Sequence, residues 1–175
     1  MQYYPIYLDM RGRNALVVGG GAVGSRKAKT LLKAGARVTV VSPQVTATIR
    51  SLAGSGELTW HERPYRAPDM EAMFLVFSAT DDPDLNHRIE ADATRHHVLC
   101  NFADAPDRGH FILPSIVARG DLIVSISTSG KSPAVARRLR QELETYFGEE
   151  YGPFLQLMGA IREQLLARAH APEDH

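Results

Sequence analysis

Short apolar runs alternate with amphipathic stretches along the first hundred residues of the chain. Runs such as Met73–Phe77 are apolar at nearly every position, which is typical of strands covered on both faces, as in a parallel sheet. The pattern predicts strands at 14–19, 36–42, 57–61, 72–78 and 97–101, with helices near 22–34, 44–53, 65–71 and 82–95. Alternation of this kind predicts an α/β fold with a doubly wound parallel sheet.

The pattern changes after about residue 110. The sequence predicts strands at Phe111–Leu113 and Leu122–Ile126 around a link at 116–121, then helices from Ser132 to about Phe147 and over about 153–169. Ser132 and the proline after it are residue types preferred at a helix N-cap and first helical position. A module of this size is too small to be a comfortable independent domain.

These changes divide the chain into three predicted regions. We expect a nucleotide-binding domain at 1–110, a small strand-plus-helix dimerisation region at 111–147, and a C-terminal helical segment at 148–175. The two apolar strands of the middle region form too small a sheet to bury their side chains by themselves. We therefore expect a homodimer that meets at this region.

The turn after the first predicted strand carries the pattern Gly19-x-Gly21-x-x-Gly24. In a dinucleotide-binding turn, the first glycine permits a tight turn and the second lets the backbone approach a pyrophosphate. The third lets helix and strand pack closely. The diphosphate then lies on free N–H groups at the positive end of the helix. A strand before, a helix after and a second strand at the expected distance predict a Rossmann-type dinucleotide site.

The end of the second predicted strand leaves the type of nicotinamide cofactor open. A typical NAD site places an acidic residue about 20 positions beyond the glycines, to bind the ribose hydroxyls. This chain has Ser42-Pro43-Gln44 there, with neither an acid nor an arginine for an NADP phosphate. Ser42 and Gln44 are weaker candidates for a ribose contact.

Two loops follow predicted strands at the carboxyl edge of the sheet, where ligands of open α/β sheets bind. Ala79 and Thr80 in the first loop are small enough to let a ribose lie close. The second loop contains Asn101 and Asp104. Asp104 is either a general base or metal contact beside the expected nicotinamide position, or a residue that caps its own loop.

A second candidate anion site begins at Ser127. Ser127, Thr128 and Lys131 precede a predicted helix start, and Arg138 follows in its next turns. Hydroxyls, cations and the N–H groups of a helix start would suit a polycarboxylate. The alternative is an ordinary capped helix with a solvated basic face.

Composition narrows the possible partners and location. Lys and Arg number 20, as do Asp and Glu, so nothing indicates a nucleic-acid partner. No apolar stretch approaches the ~20 residues of a membrane helix, and the first residues lack the features of a signal peptide. The single cysteine, Cys100, excludes an internal disulfide, and the seven histidines show no metal-ligand spacing. We expect a soluble cytoplasmic protein without a resident metal.

Together these residues resemble one family, the precorrin-2 dehydrogenase/sirohydrochlorin ferrochelatases, which also form the N-terminal part of the sirohaem synthases. The resemblance keeps the family's order and spacing to about residue 147 and is weakest after Gly148. It is carried by Tyr4–Ile6, Val17–Gly21, Arg26–Ala28, Ala34–Ala36, Ala79–Asp82, Cys100-Asn101, Asp104–Pro106, Phe111–Ile116, Ser127–Pro133 and Arg137–Arg140.

The resemblance implies NAD-dependent oxidation of precorrin-2 to sirohydrochlorin, followed in bifunctional members by insertion of Fe²⁺, a substrate, to give sirohaem. It implies NAD despite the missing acid, and Asp104 as the essential carboxylate of both steps. It also implies cofactor contacts at Ala22, Val23, Pro43 and Gln44. The full predicted cofactor set is Gly19, Gly21, Ala22, Val23, Gly24, Ser42, Pro43, Gln44, Ala79, Thr80 and Asn101.

Two other interpretations remain at this point. A non-catalytic NAD-sensing regulatory domain also joins a Rossmann sheet to a small dimerising module, but such domains usually keep the acid that is missing here. A tetrapyrrole-binding partner without turnover is the second alternative. Absorbance of the protein mixed with precorrin-2 and NAD separates an enzyme from both.

Overall fold

A computed structural model of the protein describes residues 2–105 and 108–169, so Pro106 and the tail at 170–175 lie outside the description. The chain divides into two compact units, residues 1–112 and 113–175. The first unit contains β1 (Asn14–Gly20), α1 (Ala22–Lys33), β2 (Arg37–Val45), α2 (Ala47–Gly54), β3 (Thr59–His61), a 3₁₀ helix (Ala67–Met70), β4 (Leu75–Ser78), α3 (Pro83–His96) and β5 (Leu99–Phe102).

The five strands of the first unit form one parallel sheet in the order β3-β2-β1-β4-β5. Strand β1 is central, with Ala15 aligned to Val38 of β2 on one side and to Leu75 of β4 on the other. The predicted α/β fold with a Rossmann-type sheet is confirmed.

Two apolar layers cover the sheet, because successive side chains of a strand point to opposite faces. On one face, Val17 of β1 lies in a buried cluster with Leu31 of α1 and Ile49 of α2. On the other, Leu16 clusters with residues of the 3₁₀ helix and of α3, including Ile89. The carboxyl edge of the sheet stays available for a ligand.

Strand β2 is longer than its apolar pattern predicts. It continues through Val45, so the helix predicted from residue 44 begins at Ala47 instead. Thr46 caps that helix, because its hydroxyl oxygen accepts a hydrogen bond from the Ile49 N–H over 3.4 Å. A register shift between Val18 and Gly20 lets the extra length of β2 pair with β1.

The helix predicted at 65–71 is a short 3₁₀ helix at Ala67–Met70. Pro68 fits its first turn, where a backbone N–H has no partner within the helix. The helix ends at Met70, because Glu71 is extended with a ψ of 133°.

The second unit contains an antiparallel pair, β6 (Ser115–Arg119) and β7 (Leu122–Ile126), followed by α4 (Pro133–Tyr146) and α5 (Tyr151–Ala169). The strand predicted at Phe111–Leu113 is wrong, and most of the predicted link is itself β6. Phe111 instead packs in the first unit, where its ring lies 5.6 Å from that of Phe77. The hairpin turn is Gly120-Asp121, and Gly120 has a φ of +58°.

The second unit exposes many large apolar side chains. They include Ile116 of β6, Val135 and Leu139 of α4, and Phe154, Leu157, Met158, Ile161 and Leu165 of α5. Among the residues described, no helix combines the length and the apolar character needed to span a membrane.

Candidate functional site: a glycine turn and an adjoining carboxylate

Gly19 and Gly24 lie on either side of the turn between β1 and α1, and neither position has room for a side chain. Gly19 has a φ of +104°, and a Cβ there would stand 2.4 Å from the carbonyl oxygen of Ala79. A Cβ on Gly24 would stand 2.0 Å from the carbonyl oxygen of Gly19. Both distances are far below van der Waals contact, so the backbone of the turn closes on itself and on the loop after β4.

Gly21 is different, because its surroundings are open. It is the N-cap of α1 with a φ of −72°, and no atom of the described residues lies within 4 Å of a Cβ built there. The first turn of α1 contains no acidic residue. The N–H groups of Ala22 and Val23 therefore lie at the positive end of a helix, next to the open space around Gly21. This arrangement fits a pyrophosphate.

The end of β2 forms one wall of the adjoining cleft. Ser42 is 8% exposed, and its hydroxyl donates a 2.7 Å hydrogen bond to the carbonyl oxygen of Gln44. The carbonyl oxygen of Ser42 accepts a 3.0 Å bond from the indole N–H of Trp60. The Ser42 hydroxyl proton is thus used within the strand end, whereas Pro43 and Gln44 are exposed.

A cavity of about 330 Å³ opens at the carboxyl ends of β1, β2 and β4. It brings together four of the predicted cofactor residues, Gly19, Ser42, Pro43 and Thr80. Arg88 of α3 also lines this cavity. It was not predicted as a site residue, because it lies in the helix between the two loops singled out by position.

Asp104 lies in the loop after β5 and is exposed. Its Oδ2 accepts a hydrogen bond from Asn86 Nδ2 over 3.0 Å. Asn86 is 1% exposed and belongs to the first turn of α3. Its Oδ1 accepts a 2.5 Å bond from the Ser78 hydroxyl, and its Nδ2 also donates to the Thr80 carbonyl oxygen over 3.2 Å. Hydrogen bonds through Asn86 therefore link Asp104 to the carboxyl end of β4.

Asn86 was missed by the sequence analysis, although a signal exists. Asn86, Ile89 and Ala93 recur at i, i+3 and i+7 on the buried face of α3. A polar residue on such an apolar stripe requires a buried hydrogen-bond partner. Spacing alone does not identify that partner.

Asn101 and the residues beside it hold the end of β5 in place. Asn101 is 5% exposed, and its Nδ2 donates a 2.8 Å bond to the carbonyl oxygen of Phe111. The Nδ1 of His110 accepts a 3.1 Å bond from the Cys100 N–H. Burial raises the pKa of the Cys100 thiol to about 12. Within residues 2–105 and 108–169, no three His, Cys, Asp or Glu side chains come together as metal ligands.

The second candidate anion site lies wholly in the second unit. The Ser127 hydroxyl oxygen accepts a 3.0 Å bond from the Ser129 N–H, and that of Thr128 accepts a 3.1 Å bond from the Ser132 N–H. These bonds fold the loop, and Lys131 projects from it as an exposed residue. Arg138 lies on α4, where its guanidinium pairs with Glu142 over 2.8 Å.

Two family models match the chain. The first is described as "Putative NAD(P)-binding" and matches residues 6–115, and the second is described as the central region of a sirohaem biosynthesis protein and matches residues 119–146.

Similar whole proteins include sirohaem synthases and a dehydrogenase. The sirohaem synthase of Photorhabdus laumondii is 38% identical and that of Nitrosococcus oceani 41% identical, each over 168 residues. The aligned region is 96% of this chain and 36% of each relative, so the chain spans about a third of their length. A solved structure described as "SirC, precorrin-2 dehydrogenase" superposes with a TM-score of 0.80 at 30% identity, covering 98% of this chain and 83% of that one.

Proposed function

We propose that this chain, which belongs to the precorrin-2 dehydrogenase family of sirohaem biosynthesis, oxidises precorrin-2 to sirohydrochlorin with NAD as the hydride acceptor. The observation that carries the proposal is the turn at Gly19–Gly24, which leaves open space in front of a helix N-terminus. A non-catalytic NAD sensor would share this turn. It would have no use for the carboxylate of Asp104, which follows β5 at the same edge of the sheet.

The cofactor would be held mainly by backbone groups. The N–H groups of Ala22 and Val23 would bind the pyrophosphate, and Gly21 would let it approach. The exposed Pro43 and Gln44 would lie against the adenosine ribose, with Ser42 shaping the strand beneath them. Gly19, Gly24, Ala79, Thr80 and Asn101 complete the proposed set, in which Asn101 acts by fixing the end of β5.

Asp104 is the proposed general base. Conversion of precorrin-2 to sirohydrochlorin removes a hydride and a proton, and NAD, when bound, supplies the hydride acceptor. The carboxylate of Asp104 is exposed at the carboxyl edge of the sheet and takes the proton from the tetrapyrrole carbon. A positioned base of this kind typically contributes 10²–10⁴-fold to the rate.

The loop at Ser127–Lys131 is the proposed contact for carboxylates of the substrate. Its hydroxyls set the loop shape, and Lys131 and Arg138 supply positive charge. Region 111–147 is the proposed dimerisation region, supported by the exposed Ile116, Val135 and Leu139. The C-terminal helical segment predicted at 148–175 stays a separate proposed region, of which residues 170–175 lie outside those described.

Insertion of Fe²⁺ into sirohydrochlorin stays a prediction of the family resemblance. Chelation must remove two pyrrole N–H protons, and Asp104 is the candidate acceptor. The chain spans about a third of the curated sirohaem synthases, so their whole activity is not transferred to it. A cytoplasmic location, predicted from the single unpaired cysteine, also stays a prediction.

The oxidation is tested by mixing the purified protein with precorrin-2 and NAD and recording NADH and sirohydrochlorin absorbance together. We expect both to appear in equal amounts. Gly21→Asp should abolish the signal without unfolding the protein, because the new side chain would occupy the open space and repel a pyrophosphate. Gly54→Asp is the matched control, since that exposed glycine also has open space around it and ends α2 away from the turn. Equal turnover in both variants would contradict the proposed site.

A further inference from the structure

We infer that Asn86 is a positioning residue that holds the carboxylate of Asp104 in its working orientation. This inference rests on the proposed function, because it assigns Asn86 a part in the reaction that Asp104 serves. It is carried by the hydrogen bonds that join Ser78, Asn86 and Asp104 within the first unit.

The hydrogen bonds fix which way the Asn86 amide faces. One atom of the amide lies 3.2 Å from the Thr80 carbonyl oxygen and 3.0 Å from Asp104 Oδ2. Both partners accept hydrogen bonds, so the atom between them must be the nitrogen, which has two protons to donate. The other end of the amide is then Oδ1, and the Ser78 hydroxyl donates to it over 2.5 Å. A flipped amide would place its oxygen against two acceptors.

Asn86 is held more rigidly than the residue it contacts. Ser78 and Asn86 are 0% and 1% exposed. The start of α3 is capped by Asp82, whose Oδ1 accepts bonds from the N–H groups of Asp84 and Leu85 over 3.0 and 3.1 Å. Asp104, in contrast, lies on an exposed loop. A fixed donor thus acts on a carboxylate that would otherwise sample several rotamers.

The expected effect is on the chemical step. The bond to Oδ2 selects one orientation of the carboxylate and leaves Oδ1 to receive a proton. Among the residues described, Asn86 is the side-chain donor found on Asp104. Preorganisation of a base by a buried donor raises kcat. Asn86 also donates to the carbonyl oxygen of Thr80, a proposed cofactor residue, so we expect a smaller effect on NAD binding beside the effect on kcat.

Asn86→Asp is the first test, because it keeps the shape of the side chain and replaces the donor by an acid. Two carboxyls in contact share one proton. We expect kcat at neutral pH to fall at least about tenfold, and the acid limb of the pH–rate profile to move to higher pH by about one unit or more. The KM for NAD should change by a smaller factor than kcat, because the Thr80 carbonyl oxygen also loses its bond to Asn86. A loss of structure alone would not shift the pH profile.

Asn86→Ala is the second variant. Asn14→Asp is the matched control for Asn86→Asp, because it makes the same change of side chain elsewhere. Asn14 also donates its side-chain amide to a backbone carbonyl, that of Ala72 over 3.1 Å, but it begins β1 at the opposite edge of the sheet from Asp104. We expect Asn86→Ala to lower kcat about tenfold, with a smaller change in the KM for NAD. Asn14→Asp should keep the wild-type rate and pH profile.

The outcomes separate this inference from the proposed function. If Asp104→Asn is inactive while both Asn86 variants keep the wild-type kcat and pH profile, the inference is overturned and the proposed function stands. If wild-type protein fails to oxidise precorrin-2, both fail. An NMR pH titration of the Asn86 side-chain amide tests the contact without turnover. Its protons should follow the Asp104 titration in the wild type and lose that transition in Asp104→Asn, and a pH-independent signal in both would also overturn the inference.

Discussion

The hydroxyl of Tyr65 donates a 2.9 Å hydrogen bond to Asp92 Oδ2 inside the apolar layer that α3 builds on the sheet. Tyr65 is 3% exposed and Asp92 8%. Burial and the neighbouring Asp92 carboxylate both raise the pKa of the Tyr65 hydroxyl. Because Tyr65 follows β3 and Asp92 lies in α3, the bond ties the connection between strands to the helix that carries Asn86.

Tyr65→Phe should lower the free energy of unfolding. The change removes the donor and leaves the buried Asp92 carboxylate without it, which costs about 1–3 kcal/mol. Urea denaturation at pH 7 measures the effect. Tyr4→Phe is the control, since Tyr4 is 82% exposed, and its midpoint should match that of the wild type. Equal midpoints for the two variants would contradict the role of the bond.

Stability should fall as the pH rises above about 9. Burial raises the pKa of Cys100 from 9.0 to about 12, so the unfolded chain loses this proton at a lower pH than the folded protein. The stabilisation is complete below pH 9 and is lost as the pH rises toward 12. Tyr65 acts in the same direction.

Urea midpoints at pH 8 and pH 10 measure this loss of stability. Cys100→Ala removes one of the two groups, so its midpoint should fall less between the two pH values than that of the wild type. An identical fall in both proteins would show that the thiol does not contribute.

The glycines of the turn should respond differently to alanine. Gly19→Ala forces a Cβ against the Ala79 carbonyl oxygen at a φ of +104°, so it should destabilise the protein by more than about 2 kcal/mol. Gly21→Ala meets open space at an ordinary φ. It should keep the wild-type melting temperature and weaken NAD binding by calorimetry. A stable Gly19→Ala variant would mean that the turn relaxes.

Light scattering at micromolar concentration should give about twice the chain mass of 19.3 kDa. Leu139→Glu should shift the mass toward that of one chain, because Leu139 is 40% exposed on α4 and a charge there opposes an apolar contact. Gln141→Glu on the same helix is the control and should keep the larger mass. A fully active monomer would refute the proposed homodimer.

Lys131→Glu should raise the KM for precorrin-2 more than the KM for NAD. The exposed Lys131 ammonium extends from the loop that the Ser127 and Thr128 hydroxyls fold, where it would attract substrate carboxylates. Steady-state kinetics with each substrate varied in turn give both constants. Lys33→Glu, at the other end of α1 from the glycine turn, should change neither. Equal increases in both constants for Lys131→Glu would indicate a structural role instead.

The sheet was predictable from sequence because its causes are local. Consecutive apolar residues marked strands buried on both faces, and the glycine pattern placed the turn after β1. The end of β2 was not predictable, since Pro43 and Gln44 resemble a loop in isolation. They belong to the strand because a register shift lets Val45, just beyond them, pair with Gly20.

The site was predictable only in part, for a different reason. Asp104 was visible as a carboxylate after a strand, but its partner Asn86 comes from the helix before that strand. The bond between them depends on how β4, α3 and β5 pack. The misplaced strand at Phe111 has a similar cause, since that ring packs on Phe77 of a distant strand.

The central place of β1 has a consequence for synthesis of the chain on the ribosome. Strand β2 follows β1 after a single helix and covers one of its edges early, whereas β4 emerges only after α2, β3 and the 3₁₀ helix. Until then, the backbone of Ala15–Val18 has one edge of unpaired N–H and C=O groups beside side chains that end at 0–2% exposure. The half-built sheet therefore has an unpaired strand edge that favours pairing with another chain. A chaperone that shields strand edges would act on it in the interval between the synthesis of β3 and that of β4.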